Sequence, residues 1–337
     1  MIWFNRIFLS TSLLLYCFFN SKEIKAQDPQ FGHFYSNSLL YNPAFTGNTD
    51  LGRFSLGYRN QWPGLKGAFV SYSFSYDHFF SKIKSGVGVQ FVNDKAGSGG
   101  LTTTGANFMY SYQIPISSQT AILTGIKAGY QSRFYDFNRF TFADQIVRDN
   151  APASITNEFR DRISYFNFGQ GIVFYHIEKY WFGLSFDHLN NPENSFGDRQ
   201  SNLPVRFALQ GGWNFKVNPT SSGRARSTIT AAFLYKTQQK WDQLDLGAYY
   251  KVNPFIVGLW YRGLPLKSNE SSIQNADAIM LLTGYEYDRI TFAYSYEITI
   301  SPLASNTNGA HEVSLILNYP KSKKRRRRYY KIPCPKF

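Results

Sequence analysis

Five histidines, His33, His78, His176, His188 and His311, are the first place to look for metal or acid–base chemistry. They are scattered, with no paired interval suited to zinc and no cysteine partners, so no metal site is expected. Asp187-His188 resembles the acid and base pairs of hydrolases. A general acid or base also needs a positioned partner, and adjacent residues of an extended chain point to opposite faces. No catalytic residue is therefore expected. The glycines form no phosphate-binding loop; they sit inside strand-like segments, where they serve curvature or close packing. No cofactor is expected either.

Charge is unevenly spread. The formal net charge is +14, and nine cations without an acid fall in Lys321 to Phe337. That tail includes Lys323, Lys324, Arg325, Arg326, Arg327 and Arg328, a run that elsewhere would suggest nucleic acid. Further in, Lys127 and Arg133, Arg206 and Lys216, Asp245 and Lys251, and Glu297 and Glu312 fall on polar faces of strand-like segments. They are expected to line a barrel interior, as a wet channel or as an ion-paired closure.

The elements that must position these residues follow a period of two. In 66 to 80, Ala68, Val70, Tyr72, Phe74, Tyr76 and Phe80 alternate with Gly67, Ser71, Ser73, Ser75 and Asp77. Such a strand lies between an apolar medium and a polar one. About fourteen segments share this pattern, from 52 to 59 through 310 to 319. Their connections alternate between mostly short and mostly long, which predicts a transmembrane antiparallel β-barrel of the bacterial outer membrane, an all-β fold. An even strand count puts both termini on the short-turn, periplasmic side. Trp62, Tyr135, Phe140, Trp181, Trp213, Trp241, Tyr250 and Trp260 are expected in interfacial aromatic belts. The composition fits: 43% apolar and 18% aromatic residues, yet no apolar run beyond the N-terminus long enough for a membrane-spanning helix.

Arg6, the uncharged run Ile7 to Phe19 and Ala26 before Gln27 read as a cleavable secretory signal. Export turns the tail away from nucleic acid and toward acidic partners in the periplasm, lipid headgroups or another envelope protein. With the signal gone, Cys334 is the remaining cysteine, so no internal disulfide is expected. The chain thus divides into a signal (1–26), a periplasmic N-terminal segment (27–51) that could fill the barrel mouth, a barrel (52–319) and a basic periplasmic tail (320–337).

Three motifs stand in order at the head of the mature chain: Gln27-Asp28-Pro29-Gln30-Phe31, Tyr41-Asn42-Pro43-Ala44-Phe45-Thr46-Gly47 and Tyr58-Arg59-Asn60-Gln61-Trp62-Pro63-Gly64. Together they resemble the PorP/SprF family of the type IX secretion system of Bacteroidetes, with Asp28, Pro29, Phe31, Asn42, Pro43, Asn60, Gln61 and Trp62 carrying the likeness. Asn42-Pro43 and Trp62-Pro63-Gly64 are turn formers suited to a barrel mouth and first hairpin. The resemblance implies a non-enzymatic outer-membrane component needed for secretion or surface attachment of particular cargo, such as a gliding-motility adhesin with a type B C-terminal targeting domain. It further implies partners among the other secretion components, including periplasmic lipoproteins, besides outer-membrane lipid. A porin or transporter for small solutes is the alternative function.

Overall fold

The computed structural model describes residues 30–32, 34, 36–49, 52–137, 140–149, 154, 160–197, 201–219, 225–239, 241–268, 274–300 and 307–319. The signal segment, Asp28, Pro29 and the Arg-rich tail lie outside them. No helix among the described residues is long and apolar enough to cross a membrane.

The strands are β1 (Gly52–Gln61), β2 (Phe69–Phe80), β3 (Ser85–Ala96), β4 (Leu101–Pro115), β5 (Thr120–Phe134), β6 (Arg162–His176) and β7 (Tyr180–Asp187). The second half comprises β8 (Arg206–Pro219), β9 (Ala225–Gln238), β10 (Trp241–Val252), β11 (Phe255–Ser268), β12 (Gln274–Tyr287), β13 (Ile290–Thr299) and β14 (Ala310–Asn318). Each pairs antiparallel with its sequence neighbours, and β1 closes on β14 through Arg53↔Asn318 to Gln61↔Ala310. Closure leaves no unpaired edge, the condition for a sheet in lipid. Along β2, Tyr72 points out while Ser71, Ser73, Ser75 and Asp77 are buried inside, as the alternation requires.

One rim carries tight connections, among them 81–84, 177–179 and 288–289; the other carries 135–161 and 188–205. The long-loop rim also carries tight hairpins. β3 turns into β4 through 97–100, and β9 into β10 through the two residues between Gln238 and Trp241. β7 is short because His188 takes a left-handed conformation (φ 60) and ends the strand at Asp187.

The lumen is packed. Between Phe31 and the first strand the chain forms a single helical turn, α1 (Ser38–Tyr41), and a 3-10 turn, Pro43–Phe45, both buried. Phe31, Phe34, Leu39, Leu40, Tyr41, Ala44 and Phe45 join one apolar core with inward residues of the wall, including Met109, Val173, Tyr175, Trp181, Leu234, Tyr249, Ile256, Trp260 and Leu282. Wall positions expected to be polar are thus apolar where the plug rather than water covers them, mostly in the short-turn half of the barrel. Trp181 and Trp260, expected in interfacial belts, belong to this core instead. Trp181 is fully buried, stacked on Phe34 at 5.7 Å and edge-on to Phe45 at 5.4 Å.

Candidate functional site

The plug and the charged layer against it form the most elaborate polar arrangement among the described residues. Asn42 caps the 3-10 turn by accepting from the Ala44 amide (2.9 Å) and donates to the Leu184 carbonyl of the wall (3.1 Å). Ser185 donates to the Tyr41 carbonyl (2.7 Å), Ser111 to the Thr46 carbonyl (2.6 Å) and Ser73 to the Asn37 side chain (2.5 Å). In return the Gly47 amide donates to Asp77 (2.8 Å) and the Gly32 amide to Glu312 (2.6 Å). These bonds meet the backbone groups of a segment with little regular structure, which burial would otherwise leave unpaired at a cost of about 1–3 kcal/mol each.

Wall glycines make the seat. A Cβ at Gly86 would lie 2.3 Å from the Thr46 carbonyl oxygen, at Gly125 2.5 Å from the Ala44 and Pro43 backbone, and at Gly171 1.9 Å from Asn42 Oδ1. The plug therefore lies directly on these strands, its backbone against β3 and β5 and the Asn42 side chain and Pro43 ring against β6.

Two ion-pair clusters flank the plug toward the long-loop half. In the first, Arg59 binds Glu297 (2.9 Å) and Glu312 (3.3 Å), and Arg262 bridges Glu297 (2.9 Å) to Asp245 (2.9 Å). In the second, Asp187 takes Lys127 and Arg206 (2.7 Å), with Asn167 donating at 3.1 Å; Arg206 also reaches the Leu40 carbonyl (3.4 Å). Of the charges expected in the lumen, Lys127, Arg133, Arg206, Asp245, Glu297 and Glu312 are buried there. Lys216 and Lys251 instead sit at the short-turn rim, paired with Glu178 and Glu286. Of the two arrangements left open, a wet channel and an ion-paired closure, these clusters take the ion-paired one.

Asp187 and His188 do not point to opposite faces. The turn at His188 brings both into the lumen, where the His188 amide donates to Asp187 (3.0 Å) and its ring nitrogen lies 2.9 Å from Asn167 Oδ1. The Asp187 carboxylate is committed to two cations, so this proximity offers no free base.

Tyr41 links plug and charge. Its hydroxyl donates to the Phe31 carbonyl (2.6 Å), and Lys236 lies over its ring at 5.3 Å. Burial pushes the hydroxyl well above its ordinary value near 10, with Asp245 and Glu312 adding to the rise. The folded protein keeps the proton where the unfolded chain loses it, so this contribution is intact below pH 10 and falls as pH rises beyond it. Tyr41→Phe is expected to flatten the alkaline limb of a stability–pH curve measured by urea unfolding. An unchanged limb would place the titration elsewhere.

The other motif residues are spread out. Phe31 and Pro43 are buried in the plug, while Asn60 and Gln61 end β1, with Gln61 accepting from Arg59 (3.3 Å). Trp62 turns the chain at φ 59, its amide donating to the Gly309 carbonyl (2.8 Å) and its ring edge-on to Phe69 at 5.5 Å. The Asn42-Pro43 turn thus anchors the plug within the lumen rather than at the mouth. Phe34, Leu39 and Leu40 also hold it and lie outside the three motifs. Their signal was a dense apolar stretch between the signal segment and the first strand.

Residues 23–317 match the type IX secretion system membrane protein family PorP/SprF. The chain belongs to this family. No curated protein matches the sequence significantly. Among solved structures, the Pseudomonas putida toluene transporter TodX is similar at 12% identity and a TM-score of 0.50, over 84% of this chain and 94% of that one. A Pseudomonas aeruginosa FadL homologue aligns at 11% identity and a TM-score of 0.46, over 85% and 96%. The TodX likeness, at that identity, concerns the fold. For this PorP/SprF protein it agrees with a closed fourteen-stranded outer-membrane barrel.

Proposed function

We propose that this PorP/SprF protein is a docking component of the type IX secretion system in the outer membrane. It binds rather than catalyses, and is required for the secretion or surface attachment of specific cargo such as a gliding-motility adhesin with a type B C-terminal targeting domain. The observation that carries this reading is the filled lumen. Residues 31–32, 34 and 36–48 and two ion-pair clusters occupy the space through which a small solute would diffuse. A sealed barrel in a secretion family is suited to holding partners on its rims. Deleting the gene should abolish surface display of one cargo class and leave the rest of secretion intact; normal display of every cargo would refute the reading. A mild-detergent pull-down should retain a large surface protein.

In this reading the short-turn rim faces the periplasm, residues 1–26 are a cleaved signal, and both termini are periplasmic. Lys323, Lys324, Arg325, Arg326, Arg327 and Arg328 then reach acidic periplasmic partners, other secretion components or lipoproteins among them. Removing 321–337 should leave heat-modifiable gel mobility unchanged and reduce capture of those partners. Undiminished capture would leave the tail as a solvated extension.

A further inference from the structure

We propose that the outward face of β1–β4 and β14 holds a specific lipid of the outer leaflet, a phosphorylated glycolipid with amide-linked acyl chains. A groove of about 490 Å³ lies on this face, walled by Leu56, Tyr58, Tyr72, Phe74, Phe91 and Leu315. The strand register stacks its surroundings in lateral rows. The apolar row Leu315, Leu56, Phe74, Phe91 is lowest. Next toward the long-loop rim comes Val313, Tyr58, Tyr72, Asn93, Thr104, and above that His311, Asn60, Val70, Lys95, Thr102.

Polarity thus rises along the groove in the order a lipid presents it: acyl chain, amide linkage, phosphate. The amide level is marked by Asn93, which donates to Thr104 at 2.8 Å on a face otherwise turned to hydrocarbon. Polar groups exposed to lipid are costly unless paired, and the Asn93–Thr104 bond leaves acceptor capacity at the carbonyl of Asn93. One row up, the Asn60 Oδ1 is shut off from solvent and has no hydrogen-bond partner among the described residues. The phosphate level is marked by Lys95, exposed and outside the ion pairs of the described residues. A second exposed cation, Lys66, belongs to the β1–β2 loop, which packs on the β3–β4 turn where Gly67 meets Ser98. Cations at a membrane surface select anionic headgroups. The groove opens in the half of the barrel nearer the long loops, which is the outer leaflet in the orientation proposed above; the inference rests on that orientation and not on cargo binding.

The test is native mass spectrometry of the full mature chain, delipidated in mild detergent and titrated with a bisphosphorylated, amide-acylated glucosamine glycolipid or, in a separate arm, with phosphatidylethanolamine. A single glycolipid adduct is expected, with phosphatidylethanolamine retained far less. Lys95→Gln should weaken the adduct about fivefold, the share one cation contributes near an anionic surface. Thr104→Trp, which fills the groove, should remove it, and Leu281→Trp on a distant outward strand should not. Heat-modifiable mobility confirms that each variant is folded. Equal retention of both lipids, or equal loss in the Leu281→Trp variant, would mean ordinary annular lipid and overturn the proposal.

Discussion

Replacing Gly86, Gly125 and Gly171 together by alanine is expected to unseat the plug and turn a closed barrel into a conducting one. The three new methyl carbons would stand 2.3, 2.5 and 1.9 Å from plug atoms, against about 3.5–4.0 Å for unstrained contact. At Gly86 and Gly125 the opposing atoms are backbone, so no side-chain rotation relieves the clash. Overpacking costs about 1–3 kcal/mol per site, and all three clashes are relieved by one outward move of residues 42–46. The wall survives, because alanine keeps every ladder hydrogen bond of β3, β5 and β6. In planar bilayers the triple variant should show stepwise conductance that the parent lacks. In a Cys334→Ser background, Ala44→Cys should become accessible to a membrane-impermeant maleimide. Gly284→Ala, whose Cβ would meet atoms at an ordinary 3.4 Å, is the control. A folded triple variant that neither conducts nor labels would show that the plug is not held by these seats.

Asp187→Leu should destabilise the barrel by about 3–5 kcal/mol, the usual consequence of leaving buried charge uncompensated. Lys127 and Arg206 would both lose their carboxylate inside the lumen, and Asn167 its acceptor. The companion expectation is sharper. Lys127→Met/Asp187→Leu/Arg206→Met, which removes the cluster whole, should cost less than the single change, since no unpaired charge remains. Urea unfolding of refolded protein in liposomes measures both. A single-variant loss below about 1 kcal/mol would mean that water reaches this cluster and that the lumen is wetter than its packing indicates.

Much of the barrel was legible because the period-two signal is local. Tyr72, Phe74 and Tyr76 against Ser71, Ser73 and Ser75 report the two media of one strand without reference to any other residue. The signal weakened where the inner face is also apolar. Trp181 and Trp260 look like belt residues from sequence, and only the plug's Phe34 and Phe45 make sense of Trp181 on the inside. Local reasoning also misjudged Asp187-His188, because it assumed an extended chain where a left-handed residue ends the strand.

The sequence by itself determined the fold class, a count of about fourteen strands and the family, since alternation, connection rhythm and three short motifs are properties of neighbouring residues. Tertiary structure decided what fills the barrel. Arg59 meets Glu297 across 238 positions and Asn42 meets Leu184 across 142. No local pattern encodes such partners. Burial turns them into a seal because a desolvated charge or backbone group must find its partner wherever the closed sheet brings one.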